Sequence, residues 1–427
     1  MRKHNGVLRP LLVRWRGAHV APLIAAFVLL GCSCGPIDLG SDGSPDAADA
    51  ACVSSELCSE EPQLLAVGDE PNREFPYGGA SLQIVGDHML GAAHIAGRRG
   101  EGSPGEVVVF HYSVGIGTFE VVDRRPDAIG LVRGGRTADA ATVIVPVDTS
   151  SSLWARRYRL SAEGIVSADT FPMRGSAAPV DITPRGSDVI VDYNLDIGGE
   201  PVLAVWEWPD GGTPLIHRVS LAGVPGLTSP TAADIQAARG ADGRLAVSMA
   251  LPASFAIVIV DAGFTVVEAV GSLTGATGFS TNRRMFVRWN TGFLLTTEHG
   301  TFPAQHSEFW SISPTGEVRM VARLQDGLFV RDMSPGPDGS ALIAAGRVSD
   351  GYEPPPPPGT VQREAETWLL RLDASGCLRG DDSFVFRAPT TAFGLSPFGA
   401  GAAVLGLRNP GIDEPKFELA LLCALPD

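Results

Sequence analysis

Beyond residue 62 the chain alternates short apolar runs with polar breaks. Val107 to Tyr112, Val189 to Tyr193, Ile257 to Val260 and Phe293 to Thr297 are rich in β-branched and aromatic residues, and each run is bounded by Gly, Pro, Asp or Ser. No segment keeps a 3.6-residue apolar period over a helical length between capping signals. The pattern therefore predicts an all-β protein.

The runs repeat. A strand followed by a Gly-bearing turn recurs as Tyr112-Ser113-Val114-Gly115, Leu160 to Gly164, Trp208-Pro209-Asp210-Gly211, Val260-Asp261-Ala262-Gly263, Ile312 to Gly316 and Leu372 to Gly376. These glycines are 49, 47, 52, 53 and 60 residues apart. A second turn falls between them in the same phase, as Asp242-Gly243 and Asp338-Gly339, so each repeat contains two hairpins. Two hairpins in roughly 50 residues are what one blade of a β-propeller requires. Inner hairpins near residues 82, 129, 181, 234, 285, 331 and 393 predict about seven four-stranded blades over 63–427. The last repeat runs out of strands at Phe417 to Cys423, whereas Gln63 to Val67 has no partner in the first repeat. The N-terminal strand is expected to complete the last blade and remove an open edge.

The first 31 residues have a different character. Arg2, Lys3, Arg9, Arg14 and Arg16 supply positive charge without an acid, and Ala18 to Leu30 supplies an apolar stretch of 13 residues. That is short of the roughly 20 residues needed to cross a bilayer. The stretch ends in Leu29-Leu30-Gly31-Cys32, which resembles the lipobox of bacterial lipoproteins. The resemblance implies that 1–31 is a signal peptide and that Cys32 becomes the first residue of the mature chain. Cys32 would then carry a diacylglyceryl thioether and an N-acyl chain such as palmitate, at about 0.8 kcal/mol per buried CH₂. Ser33 follows Cys32, a position at which inner-membrane lipoproteins of enterobacteria often carry Asp. An envelope location on the outer membrane is therefore expected. Over 63–427 the repeats resemble the divergent propellers of bacterial lipoproteins, without Trp-Asp or Gly-Gly pairs at regular phase.

Charge narrows the partners. Residues 1–31 hold five of the 33 basic residues and none of the 48 acids, which leaves 28 bases against 48 acids and a net charge near −20. Such a chain repels phosphate backbones, so no nucleic-acid partner is expected. Residues 32–62 carry Asp38, Asp42, Asp46, Asp49, Glu56, Glu60 and Glu61 with no Lys or Arg. Like charges and low hydrophobicity predict a disordered tether.

With Cys32 acylated, Cys34, Cys52, Cys58, Cys377 and Cys423 remain. Adjacent blades are expected to bring Cys377 and Cys423 together, and Cys52 and Cys58 suit a small local loop, in keeping with an oxidising compartment. One such bridge typically contributes about 2–4 kcal/mol.

Catalytic motifs are absent: the chain has no Gly-x-Ser-x-Gly elbow, His-Glu-x-x-His helix, phosphate-binding loop or dinucleotide fingerprint. No catalytic residue, cofactor or metal is assigned. His299 and His306 flank a loop beside Glu298 and Glu308, and His88, His94 and His111 crowd the first repeat. For both groups a metal reading stands beside ordinary solvated histidines. The tryptophans read as packing between blades, with a sugar-stacking platform as the alternative. In a propeller, loops from the second strand to the third and from one blade to the next share a face. That face would gather Arg98 and Arg99, His299 and His306, and Tyr352 in the Asp350 to Glu366 insert with its five prolines. The expected function is a monomeric, membrane-anchored module that binds or scaffolds a protein, peptide or glycan. The alternative is a hydrolase or lyase acting on polysaccharide or phosphoester.

Overall fold

The computed structural model describes residues 63–69, 78–95, 106–113, 116, 118–126, 128, 133–136, 140–149, 152–161, 164–172, 177–181, 188–195, 198–208, 213–225, 227, 235–251, 254–274, 285–299, 306–324, 327–347, 367–380, 384–386, 390–399, 401–408 and 416–422. All lie in one compact unit, Ala48–Asp427. The proposed signal peptide, the tether and Cys32, Cys34, Cys52, Cys58 and Cys423 lie outside the described residues.

Every described strand belongs to an antiparallel meander, apart from the first, β1 (Gln63–Asp69). The first meander runs β2 (Gly78–Val85), β3 (His88–Ile95), β4 (Glu106–Ser113) and β5 (Thr118–Arg125). The second runs β6 (Arg133–Arg136), β7 (Ala140–Thr149), β8 (Ser152–Ser161) and β9 (Gly164–Pro172). Next come β10 (Ala177–Asp181), β11 (Asp188–Leu195), β12 (Pro201–Trp208) and β13 (Leu215–Ser220). They are followed by β14 (Ile235–Arg239), β15 (Leu245–Leu251), β16 (Ser254–Val260) and β17 (Val267–Thr274). Then β18 (Phe286–Trp289), β19 (Gly292–His299), β20 (His306–Ile312) and β21 (Val318–Arg323) form a meander. The next holds β22 (Leu328–Pro335), β23 (Ala341–Arg347), β24 (Thr367–Leu372), β25 (Leu378–Arg379) and the short β26 (Phe384–Phe386). The chain closes with β27 (Thr390–Phe398), β28 (Gly401–Arg408) and β29 (Lys416–Leu422). β1 pairs antiparallel with β29, so the first and last described strands share a sheet.

The opening strands contact one another in a closed circuit: β2 with β6, then β10, β14, β18, β22, β27 and back to β2. An all-β circuit of four-stranded units is a β-propeller, as the repeats predict. Among the described residues there is no α-helix. Six hydrogen-bonded sheets are present where the repeats suggest about seven. β10 and β14 pair in parallel through Val180 with Ala237 and Asp181 with Ala238, merging two meanders into one eight-stranded sheet.

Burial falls off from the inner strands outward and explains the hydropathy of each strand. β14 is buried throughout and β16 almost throughout, because both faces are covered by neighbouring meanders; β16 carries the apolar run Phe255 to Val260, whereas β14 buries Gln236 and Arg239 among its apolar residues. β17 and β21 lie at outer edges; exposed positions alternate with more buried ones along β17, and no residue of β21 is fully buried. The core is divided into layers between neighbours. Val189, Leu203, Val247 and Val258 share one layer, Trp289, Val330, Ile343 and Trp368 another. Trp208 packs with Phe171 and Ile190 in a third. Fully burying a Val, Leu or Ile contributes about 1.5–3 kcal/mol.

Side chains also satisfy backbone groups across the layers. Met285 N–H donates to Gln236 Oε1 at 2.6 Å, Leu395 N–H to Asp332 Oδ2 at 2.7 Å, and Val330 N–H to Ser307 Oγ at 3.1 Å. Tyr158 Oη–H donates to Asp123 Oδ2 of the preceding meander at 2.6 Å. Burial and that bond push the phenol well above its ordinary value.

The repeated Gly-bearing turns join third strands to fourth. Asp261 Oδ1 accepts from Thr265 N at 2.6 Å and Val266 N at 2.7 Å, and Asp373 Oδ1 from Ser375 N and Cys377 N, both at 2.9 Å. Gly376 completes the second of these turns at φ 90°, where a Cβ would be strained. Among the described residues no disulfide is present; Cys377 is partly buried in this turn.

Replacing Gln236 with Leu leaves Met285 N–H buried without that acceptor and is expected to lower the urea-unfolding free energy by about 1–3 kcal/mol. A pH prediction follows from the turns. Burial raises both Asp261 and Asp373, but the hydrogen bonds they accept outweigh it and hold each carboxyl below 3.8. The depressed value belongs to the folded state, so this stabilisation is complete above the ordinary carboxylate value and is lost as the pH falls through the depressed one. Asp373→Asn should therefore flatten the fall of the urea midpoint from about pH 4 downwards.

Candidate functional site

The most developed polar cluster sits where β19 passes to β20. His299 and His306 form the last rung of that ladder, Thr297 faces Glu308 one step in, and Leu295 faces Trp310 one step further. Alternation puts all six on one face of the sheet. Glu308 is also the cross-strand partner of Arg323 on β21. Below this polar cap, Leu295 and Trp310 belong to the layer shared with Phe255, Ile257 and Leu273 of the preceding meander.

Glu308 organises the cluster. Its Oε2 lies 3.1 Å from His299 Nε2 and its Oε1 3.2 Å from His306 Nε2, with all three side chains largely buried. The two imidazoles stack with centroids 5.9 Å apart and planes 19° apart. Arg323 approaches His306 Nδ1 at 3.3 Å. A guanidinium only donates, so that Nδ1 accepts and His306 carries its proton on Nε2 toward Glu308. Thr297 Oγ1 accepts from Trp310 Nε1 at 2.9 Å and lies 2.7 Å from His299 Nε2. A carboxylate accepts only, so His299 Nε2 is also a donor, shared between Thr297 and Glu308. The consequence falls on the far side of the ring. Among the described residues nothing bonds His299 Nδ1.

Both Nε2 atoms spend their protons on the carboxylate, and among the described residues no three His, Cys, Asp or Glu side chains are arranged to hold an ion.

The other histidines fall apart. His88 and His111 meet through a 2.9 Å Nδ1 to Nε2 bond with stacked rings, at the end of the meander where β2 turns into β3. His94 belongs six residues further along β3, about 20 Å away at strand rise, so these three make no common site. Arg98, Arg99 and Tyr352, also placed on the ligand face by the sequence, lie outside the described residues, as does the proline-rich insert. Thr297, Trp310 and Arg323 escape a motif search. The two-residue spacings Thr297 to His299 and His306 to Glu308 to Trp310 are the local signal that joins the first two to the site.

No known family profile matches the chain, and no curated protein does. Solved structures similar to it include the Dos1 propeller, at 9% identity over 82% of this chain and 94% of that one, TM-score 0.41. The propeller domain of Cps50 (Swd1) from Myceliophteria thermophila matches at 9% identity over 82% and 99%, TM-score 0.41. A putative 6-phosphogluconolactonase from Bacteroides fragilis matches at 12% over 73% and 85%, TM-score 0.40. The strand circuit itself, rather than these likenesses, makes the molecule a propeller.

Glu308→Ala removes the acceptor of both imidazoles and is expected to lower stability by about 1–3 kcal/mol in urea unfolding. Imidazole ¹⁵N shifts should show His306 as the Nε2–H tautomer in the native protein and a mixture in the variant. For the second pair, burial and then repulsion from His88 lower His111 against the opposing pull of Glu120 and Asp87. The folded state therefore takes up this proton less readily than the unfolded chain, and stability declines as the pH drops below 6.5. The urea midpoint should fall from about pH 7.5 to about pH 5.5, and less steeply in His111→Leu.

Proposed function

We propose that this chain is an envelope lipoprotein anchored through Cys32, whose propeller binds or scaffolds a glycan, peptide or protein at the face that carries His299 and His306. The observation that carries this reading is the held imidazole of His299. Glu308 and Thr297 fix its orientation, leaving Nδ1 without a bond among the described residues, and its ring centroid lies 6.4 Å from that of Trp310. A rigid imidazole edge next to an aromatic ring suits the hydrogen-bonding groups of a sugar or peptide. The polar groups of this cluster come from a single meander, which supports recognition over the hydrolase or lyase alternative, where groups from several blades would converge.

On this reading the ring has seven blades. Only two residue pairs join β10 to β14, so the eight-stranded sheet counts as two blades, and β1 serves as the fourth strand of the last. A bridge between Cys377 and Cys423 would staple the last two blades.

Soluble glycan and peptide fragments released from the producing cell's envelope should be retained by immobilised protein and lost, by about tenfold or more, in His299→Ala. Equal retention by the variant would overturn the site. Deleting residues 63–68 should sharply lower the melting temperature, whereas an unchanged melt would remove β1 from the ring. In cells, Cys32→Ala should abolish incorporation of labelled palmitate.

A further inference from the structure

We infer that the outer rim formed by β13, β17 and β21 is a membrane-docking face that takes anionic phospholipid. Six large hydrophobic side chains are exposed among the described residues. Five of them, Leu215, Ile216, Val266, Val270 and Met320, fall on these three neighbouring outer strands or the turn leading into β17, each 42–55% accessible. The strands adjoin. His217 meets Phe264 edge-on at 5.4 Å and ties β13 to that turn, while a Cβ on Gly271 would lie 2.6 Å from the Gly316 carbonyl and 3.2 Å from Val318, so β17 packs directly on β21. Five exposed aliphatic side chains gathered on three adjoining strands mark a contact surface.

Charge selects the occupant. On a chain with acids in large excess, this rim presents Arg218 and Arg319, both exposed and in no ion pair among the described residues. Arg323 is exposed at the end of β21. Of the acids on the same strands and turns, Glu268 is held by Arg244 at 2.7 Å and Asp261 accepts from the backbone of its own turn, which leaves Glu317 at the rim. Exposed aliphatic side chains beside Arg218 and Arg319 fit the boundary between acyl chains and anionic headgroups, where apolar burial and attraction to lipid charge act together. Docking of this kind is independent of acylation at Cys32 and would set which side of the propeller faces the bilayer.

The test uses residues 48–427, the compact unit that contains every described strand, with vesicles of phosphatidylcholine alone or mixed with phosphatidylglycerol. We expect sedimentation with the anionic vesicles, little with the neutral ones, and loss of binding as salt rises. Arg218→Glu and Arg319→Glu should each weaken it by roughly fivefold or more. Leu215→Ser combined with Met320→Ser should reduce it further, with an unchanged near-UV circular dichroism spectrum. Failure to sediment, equal sedimentation with both lipids, or indifference to these substitutions would overturn the inference. So would a dimer in analytical ultracentrifugation that the serine variant dissociates, since the face would then belong to a second copy of the chain.

Discussion

The architecture depends on satisfying the inner edge of every sheet. The first strand of each meander uses one side to pair with its own hairpin partner, and its other edge would be left bare. In an apolar interior a bare N–H is expensive. The protein meets this demand in three ways. β10 and β14 pair with each other directly, and Gln236, Asp332 and Ser307 reach across to the backbone of the next meander. Elsewhere the chains close up until no side chain fits: a Cβ on Gly134 would lie 1.9 Å from Ser81 Oγ, and one on Gly394 2.8 Å from Leu82 Cβ.

This explains what the sequence discloses. Strand runs and repeat turns are legible because their chemistry is local: Asp261 and Asp373 bond to residues two to five positions ahead, and glycine completes the turn. The middle strands are legible too, since coverage on two faces suits apolar runs such as Phe255 to Val260, but the innermost strands are not, because β14 and β18 carry Gln236, Arg239 and Arg288. The merging of two meanders is not, because a two-rung parallel contact between residues 57 positions apart leaves no periodic trace.

The candidate site was half visible. His299 and His306 stand out as paired histidines around a loop, but the group that organises them is Glu308, and its geometry follows from cross-strand register. A one-residue slip of that ladder would send Glu308 to the opposite face and leave two unrelated imidazoles. Arg323 enters only because a third strand lies alongside.

The ladder between β1 and β29 has a mechanical meaning. Its rungs run from Gln63 with Leu421 to Asp69 with Lys416, with one irregularity between Ala66 and Asp69. Any pull transmitted along the segment preceding Gln63 enters the ring through this ladder. Drawn along the strand axis, it shears the hydrogen bonds of several rungs together instead of peeling them singly. Tension applied there would thus be borne first by the seam between β1 and β29, and a strand that completes a sheet would double as the point where load enters the ring.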